Sequence, residues 1–149
     1  PPGADSKFDR SILRGRGPLI GVQVGVPSSL AAHLSGLGRI IPQPQIVWGL
    51  IDTGASATCV DLGALATLGI QPTGQTTLAT PSDAQALAGI YAVSLTFPQS
   101  PANDSTVDPL PVIGGPLASQ GIGALLGRDF LEIAVLVYNG PGGFFTVSF

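Results

Sequence analysis

The chain has 149 residues, enough for one domain with a substantial core and too few for two comfortable ones. It is 44% apolar and only 10% charged, its net charge is −3, and its six basic residues form no stripe, which excludes an electrostatic nucleic-acid binder. No apolar run reaches the roughly 18 residues of a membrane span, and one cysteine with one histidine excludes a zinc cluster or an internal disulfide, so no metal or cofactor is expected.

The 21 glycines and 14 prolines argue for short strands and many turns over a helical bundle. Residues 1–17, with four of the six basic residues and little periodicity, read as an N-terminal arm ahead of a single domain over 18–149. "PLIGVQVGV" (18–26) alternates as a strand does. Residues 27–45 are bounded by prolines and read as a long loop with one helical turn around 29–34. "IVWGLI" (46–51) reads as a buried strand running into Asp52. Beyond "TCVD", Asp61 is an N-cap candidate and Gly69 a stop for a two-turn helix. Residues 75–97 have two strand-like arms around a polar tip and predict a long hairpin. Residues 98–111 read as a loop, a short helix is expected near 128–132, and "AVLVY" and "FFTVSF" flank the hairpin signal "NGPGG" (139–143).

Nine acids make elimination practical. Asp5 and Asp9 lie in the arm, Asp104 and Asp108 in a loop, and Asp83 at the hairpin tip. Asp61, Asp129 and Glu132 sit at helix starts or on a short helix, where acids are ordinary. Asp52 alone follows an apolar strand and precedes Thr-Gly. Asp-Thr-Gly by itself also fits a plain strand-closing turn. The flanking apolar residues add a different weight, because burying a lone carboxylate is costly without a partner, and no base is near in sequence.

"LIDTGAS" (50–56) resembles the catalytic loop of aspartic proteases, and "ALLGRDFL" (124–131) is similar to their second signature. One copy of each, with Leu125 standing 73 residues after Asp52, resembles the single-domain retropepsin family over roughly residues 18–149. The resemblance implies an all-β, closed retropepsin-like barrel with one or two short helices, active as a homodimer on peptide or protein substrates. Asp52 then occurs once because the two-fold axis supplies the second carboxylate. Two carboxylates about 3 Å apart share a proton, as aspartic-protease dyads do in general, and the pair activates a water. The resemblance further assigns Thr53 to stiffening the dyad across the interface and Gly54 to close approach of substrate. Ala55 completes the loop, and Leu125, Leu126 and Gly127 pack beneath it. Ala79, Thr80, Pro81, Ser82 and Asp83 form a flap tip over the substrate. Ser56 stands where the viral enzymes carry an acid that pairs with the arginine of the second motif, so Arg128 needs another partner. The C-terminal "FFTVSF", with Phe145, Val147 and Phe149 on one face, is the expected dimer element.

Two other readings stand beside this one. A cysteine hydrolase requires Cys59 and His33 to meet in space, whereas "SATCV" reads as an apolar core position and His33 as a solvated loop residue. A catalytically silent dimerisation or peptide-binding module on the same fold is the alternative that has no chemistry. The expected compartment is cytoplasmic; the chain starts at Pro1, so a removed upstream signal or pro-segment would change that.

Overall fold

A computed structural model describes residues 10–79, 85–97 and 105–149. In chain order its elements are α1 (Arg10–Arg16), β1 (Leu19–Gly25), α2 (Ser28–Gly36), β2 (Gln45–Ile51), β3 (Cys59–Asp61) and α3 (Leu62–Thr67). There follow β4 (Gly74–Leu78), β5 (Ala86–Phe97), β6 (Ser105–Gly115), β7 (Ala124–Leu126), α4 (Arg128–Leu131), β8 (Val135–Asn139) and β9 (Phe144–Ser148).

Alternation along the strands sends every second side chain inward. Ile20, Val22 and Val24 of β1 meet Val93, Leu95 and Phe97 of β5, Leu110 and Val112 of β6, Val60 of β3, and Ala124 and Leu126 of β7 in one buried cluster. The sheet order is β1-β2-β7-β3-β6-β5-β4, and β1 also pairs with β5. Six strands therefore close into a barrel, with β4 attached outside it through β5. Strands β8 and β9 form a separate antiparallel hairpin. The all-β closed barrel expected from the sequence is the fold observed, with four short α-helices among the described residues where one or two were expected.

Several local expectations need correction. Residues 28–36 form a nine-residue helix instead of a single turn. Both oxygens of Asp108, on β6, accept from the Ser28 N–H (3.0 and 3.2 Å), a cap supplied from 80 residues away that no local reading contains. His33 lies on this helix, exposed, and not in a loop. Residues 105–111, read as loop, belong to β6 despite Pro109 and Pro111. Over that stretch β6 pairs only with β5, because β3 joins it from Ile113 onward; the missing N–H groups interrupt no second ladder. Strand β2 is only half buried: Ile46 is 74% and Trp48 60% exposed. In the arm, Arg10–Arg16 is helical and buries Leu13.

The C-terminal face is also covered differently. Phe145 and Val147 pack against the barrel core, and the Phe149 ring lies 5.0 Å from Phe97 and 5.7 Å from Phe130. That face is therefore partly covered by its own barrel, with Phe149 still 51% exposed. The outward face of the hairpin carries the exposed Val135 and Val137 instead.

Candidate active site

Strand β7 lies between β2 and β3, the two strands joined by the loop 52–58. It runs parallel to β2 (Leu50 opposite Leu125, Ile51 opposite Leu126) and antiparallel to β3 (Cys59 opposite Leu125). The two sequence motifs, distant in the chain, thus become neighbours. The Asp52 N–H donates to the Leu126 carbonyl (2.9 Å), and Arg128 N–H donates to the Ala55 carbonyl (2.9 Å).

The Asp52–Ala55 turn is closed by the Ala55 N–H donating to the Asp52 carbonyl (3.2 Å). The Gly54 N–H donates to Asp52 Oδ1 at 2.8 Å. A Cβ at Gly54 would stand 3.0 Å from that same oxygen, so glycine keeps the contact unstrained. Among the described residues no other group bonds the Asp52 carboxylate, and the residue is half exposed. Thr53 and Gly54 are exposed and Ala55 is half buried.

Leu126 and Gly127 are buried under the loop, while Leu125 turns to the outer surface. At Gly127 an added Cβ would come within 2.6 Å of the Ala57 carbonyl carbon, so the loop can lie this close only over glycine. Arg128 finds its partner in a main-chain oxygen: Nη1 donates to the Thr53 carbonyl at 2.8 Å. Among the described residues no acid pairs with its guanidinium.

Two residues that sequence reasoning passed over tie the loop down. Thr58 is fully buried, and it is the only buried polar residue among those described. Its N–H donates to Asp129 Oδ2 (2.9 Å), its hydroxyl donates to Asp129 Oδ1 (2.7 Å), and the Gly127 N–H donates to that hydroxyl oxygen (3.1 Å). Asp129 looked like an ordinary helix-start acid. The available signal was a lone hydroxyl set in apolar sequence, Ala57-Thr58-Cys59-Val60, which needs a partner wherever it is buried.

On the barrel's outer surface the register aligns one apolar residue from each strand. Ile90 pairs with Ile113, Ile113 with Cys59, Cys59 with Leu125, Leu125 with Leu50, and Leu50 with Leu19. All six are partly exposed. Asp52, two residues past Leu50, leaves β2 on this same face. The hairpin β4–β5, paired from Gly74–Ile90 to Leu78–Ala86, rises from the far end of the row. Ala79 is exposed at the end of β4; the expected tip residues Thr80, Pro81, Ser82 and Asp83 lie outside the described residues.

Cys59 sits in this row, with its thiol pushed above the ordinary value by burial first and by the Asp61 carboxylate second. His33 lies on α2 and Cys59 on β3, and no hydrogen bond joins their side chains. Among the described residues no three His, Cys, Asp or Glu side chains gather as a metal site, and no helix is long and apolar enough to cross a membrane.

No protein-family model matches the sequence, and no curated protein matches it. Among solved structures the chain is similar in fold to a retropepsin-like aspartic protease from Rickettsia conorii. That likeness has 15% identity and a TM-score of 0.43, over 69% of this chain and 77% of that one.

Proposed function

We propose that the chain is one subunit of a homodimeric aspartic endopeptidase, with Asp52 of each copy forming the catalytic pair. The observation that carries this reading is the half-exposed Asp52 carboxylate, held at Oδ1 by the Gly54 N–H and by no other described residue, beside an apolar surface row. In the paired state one carboxylate takes a proton from water as it attacks the scissile carbonyl. The other, protonated, donates to the carbonyl oxygen and then helps protonate the departing amine. Between them the two share one proton.

Leu50, Leu125 and Cys59, on the adjacent strands β2, β7 and β3 beside Asp52, suit an extended peptide with apolar side chains near the cut, since they present no charge to be desolvated. The hairpin β4–β5 closes over such a peptide and excludes water. For the second copy, the β8–β9 hairpin offers the exposed Val135 and Val137 on its outward face.

The test uses subunit mixing. Wild-type chains are exchanged with an excess of Asp52→Asn chains, and cleavage of an apolar peptide is followed. Activity should collapse as mixed dimers form, and wild-type specific activity should fall on dilution. Activity proportional to the wild-type chain alone, with exchange confirmed, rules out the shared site. Absence of cleavage across a broad peptide library, from a protein that still binds peptides, favours the silent module.

A further inference from the structure

One peptide unit, the bond between Leu126 and Gly127, touches both ends of the loop that carries Asp52. Its carbonyl accepts the Asp52 N–H (2.9 Å), and its N–H donates to the Thr58 hydroxyl oxygen (3.1 Å). The Thr58 hydroxyl in turn donates to Asp129 Oδ1 (2.7 Å), and the Thr58 N–H donates to Oδ2 (2.9 Å). The donors and acceptors therefore run in series from the Asp52 backbone to a carboxylate on α4. A hydroxyl has one proton to give and two lone pairs to accept with, and Thr58 uses its proton toward the acid and accepts from the amide, with no conflict.

We propose that Thr58 and Asp129 are positioning residues that set where Asp52 stands. The inference rests on the protease reading above. Three observations separate their role from that of Arg128. Thr58 is completely buried, so its bonds have no competition from water, whereas Arg128 is exposed. The Arg128 guanidinium makes a single hydrogen bond, to the neutral Thr53 carbonyl, and its charge has no countercharge among the described residues. Asp129 grips Thr58 with both oxygens and also accepts the Phe130 N–H (2.7 Å), which fixes the carboxylate on the helix. In such a chain each bond polarises the next, and a break in the middle leaves the buried Gly127 N–H without an acceptor.

The experiment compares Thr58→Val, Thr58→Ser, Arg128→Gln and, as a control for general destabilisation, Leu65→Ala in the α3 core. All are assayed as intact full chains at a temperature where each is folded, and at concentrations that saturate dimer formation. Thr58→Val keeps the shape and loses the hydroxyl; its kcat should fall on the order of ten- to a hundredfold, the cost of misplacing a catalytic group by a fraction of an ångström to an ångström, with KM changed less than about twofold if the substrate surface is intact. Thr58→Ser should restore kcat to within about threefold of wild type. Leu65→Ala should keep kcat within about threefold, since it does not cut the series, and Arg128→Gln should cost less than Thr58→Val. Independently of catalysis, the Asp52 amide should exchange with solvent faster in Thr58→Val than in Leu65→Ala.

The inference is overturned if Thr58→Val keeps wild-type kcat, if serine fails to rescue it, or if Leu65→Ala loses as much. It is equally overturned if Arg128→Gln is the more damaging change. A wild-type protein that cleaves no peptide while the amide-exchange difference is present sinks the protease reading and leaves the positioning of the loop established as structure only.

Discussion

Asp52 and Asp129 stand on the two sides of one loop, and the chain treats them in opposite ways. Asp129 accepts three hydrogen bonds, two from Thr58 and one from Phe130, and Asp61 accepts three more from the N–H groups of Gly63, Leu117 and Ala118. Asp52 accepts one, from Gly54. A carboxylate that gives three of its roughly four lone-pair sites to donors of its own chain is a structural tie, with little capacity left for a substrate or a water. A carboxylate with a vacant oxygen, set on a rigid frame, contributes little to stability and keeps its chemistry available. On the protease reading proposed above, stability and reactivity fall to different acids, and substitution should separate them.

The largest effect expected is on activity. Asp52→Asn should lower kcat by at least the 10²–10⁴-fold typical of a lost general acid–base group, while moving the melting temperature by less than about 2 °C, since one exposed hydrogen bond is at stake. Peptide hydrolysis and thermal denaturation on the same preparation check both halves. A variant that loses activity and melts early would erase the distinction between the two kinds of acid.

Asp61→Ala should show the reverse. It removes the N-cap of α3 and the acceptor of two N–H groups at residues 117 and 118, so α3 and that turn lose a common anchor. A cap is worth about 1 kcal/mol, and part of the cost of the other donors is recovered by water, giving about 1–3 kcal/mol in all. Denaturant titration should show that loss, with kcat within about twofold of wild type for the folded fraction. Asp108→Ala belongs to the same class with a smaller effect, about 0.5–1.5 kcal/mol, because it removes one cap from an exposed helix.

How much of this was legible beforehand follows from the range of the interactions. The strands β1 and β2, the helix α3 with its Asp61 cap and its left-handed Gly69, and the β8–β9 turn are written in adjacent residues and could be read directly. The motif around Asp52 was equally visible, as was its second half at 124–131. The bonds that make a site of them were not. Thr58 and Asp129 are 71 residues apart, Ser28 and Asp108 are 80 apart, and each looks like an ordinary polar residue until the barrel closes. The strand through Pro109 and Pro111 was hidden for a related reason: proline argues against a strand unless one knows which edge is unpaired.

The smallest effect concerns Cys59, where the two kinds of environment meet. Its thiol lies in the apolar row, and its ionisation is disfavoured by burial and then by the Asp61 carboxylate. Since the folded state holds this proton more tightly than the unfolded chain does, the associated stability is complete below the unfolded thiol's pKa of about 8.5. It is lost as pH rises through the higher folded value. Wild type should therefore lose slightly more stability than Cys59→Val on the alkaline side, and the two should run parallel below about pH 8. Alkylation by iodoacetamide at pH 8 should be slower than for an unfolded peptide, because the thiolate is the attacking species. Asp61→Asn should raise the folded protein's rate modestly, as the second cause of the shift is removed while burial remains. Once alkylated, the protein should lose peptide cleavage without unfolding, since the added group occupies the surface between Leu125 and Ile113. Full activity after stoichiometric modification would take the apolar row out of substrate binding and leave Asp52 without the apolar surface proposed for it.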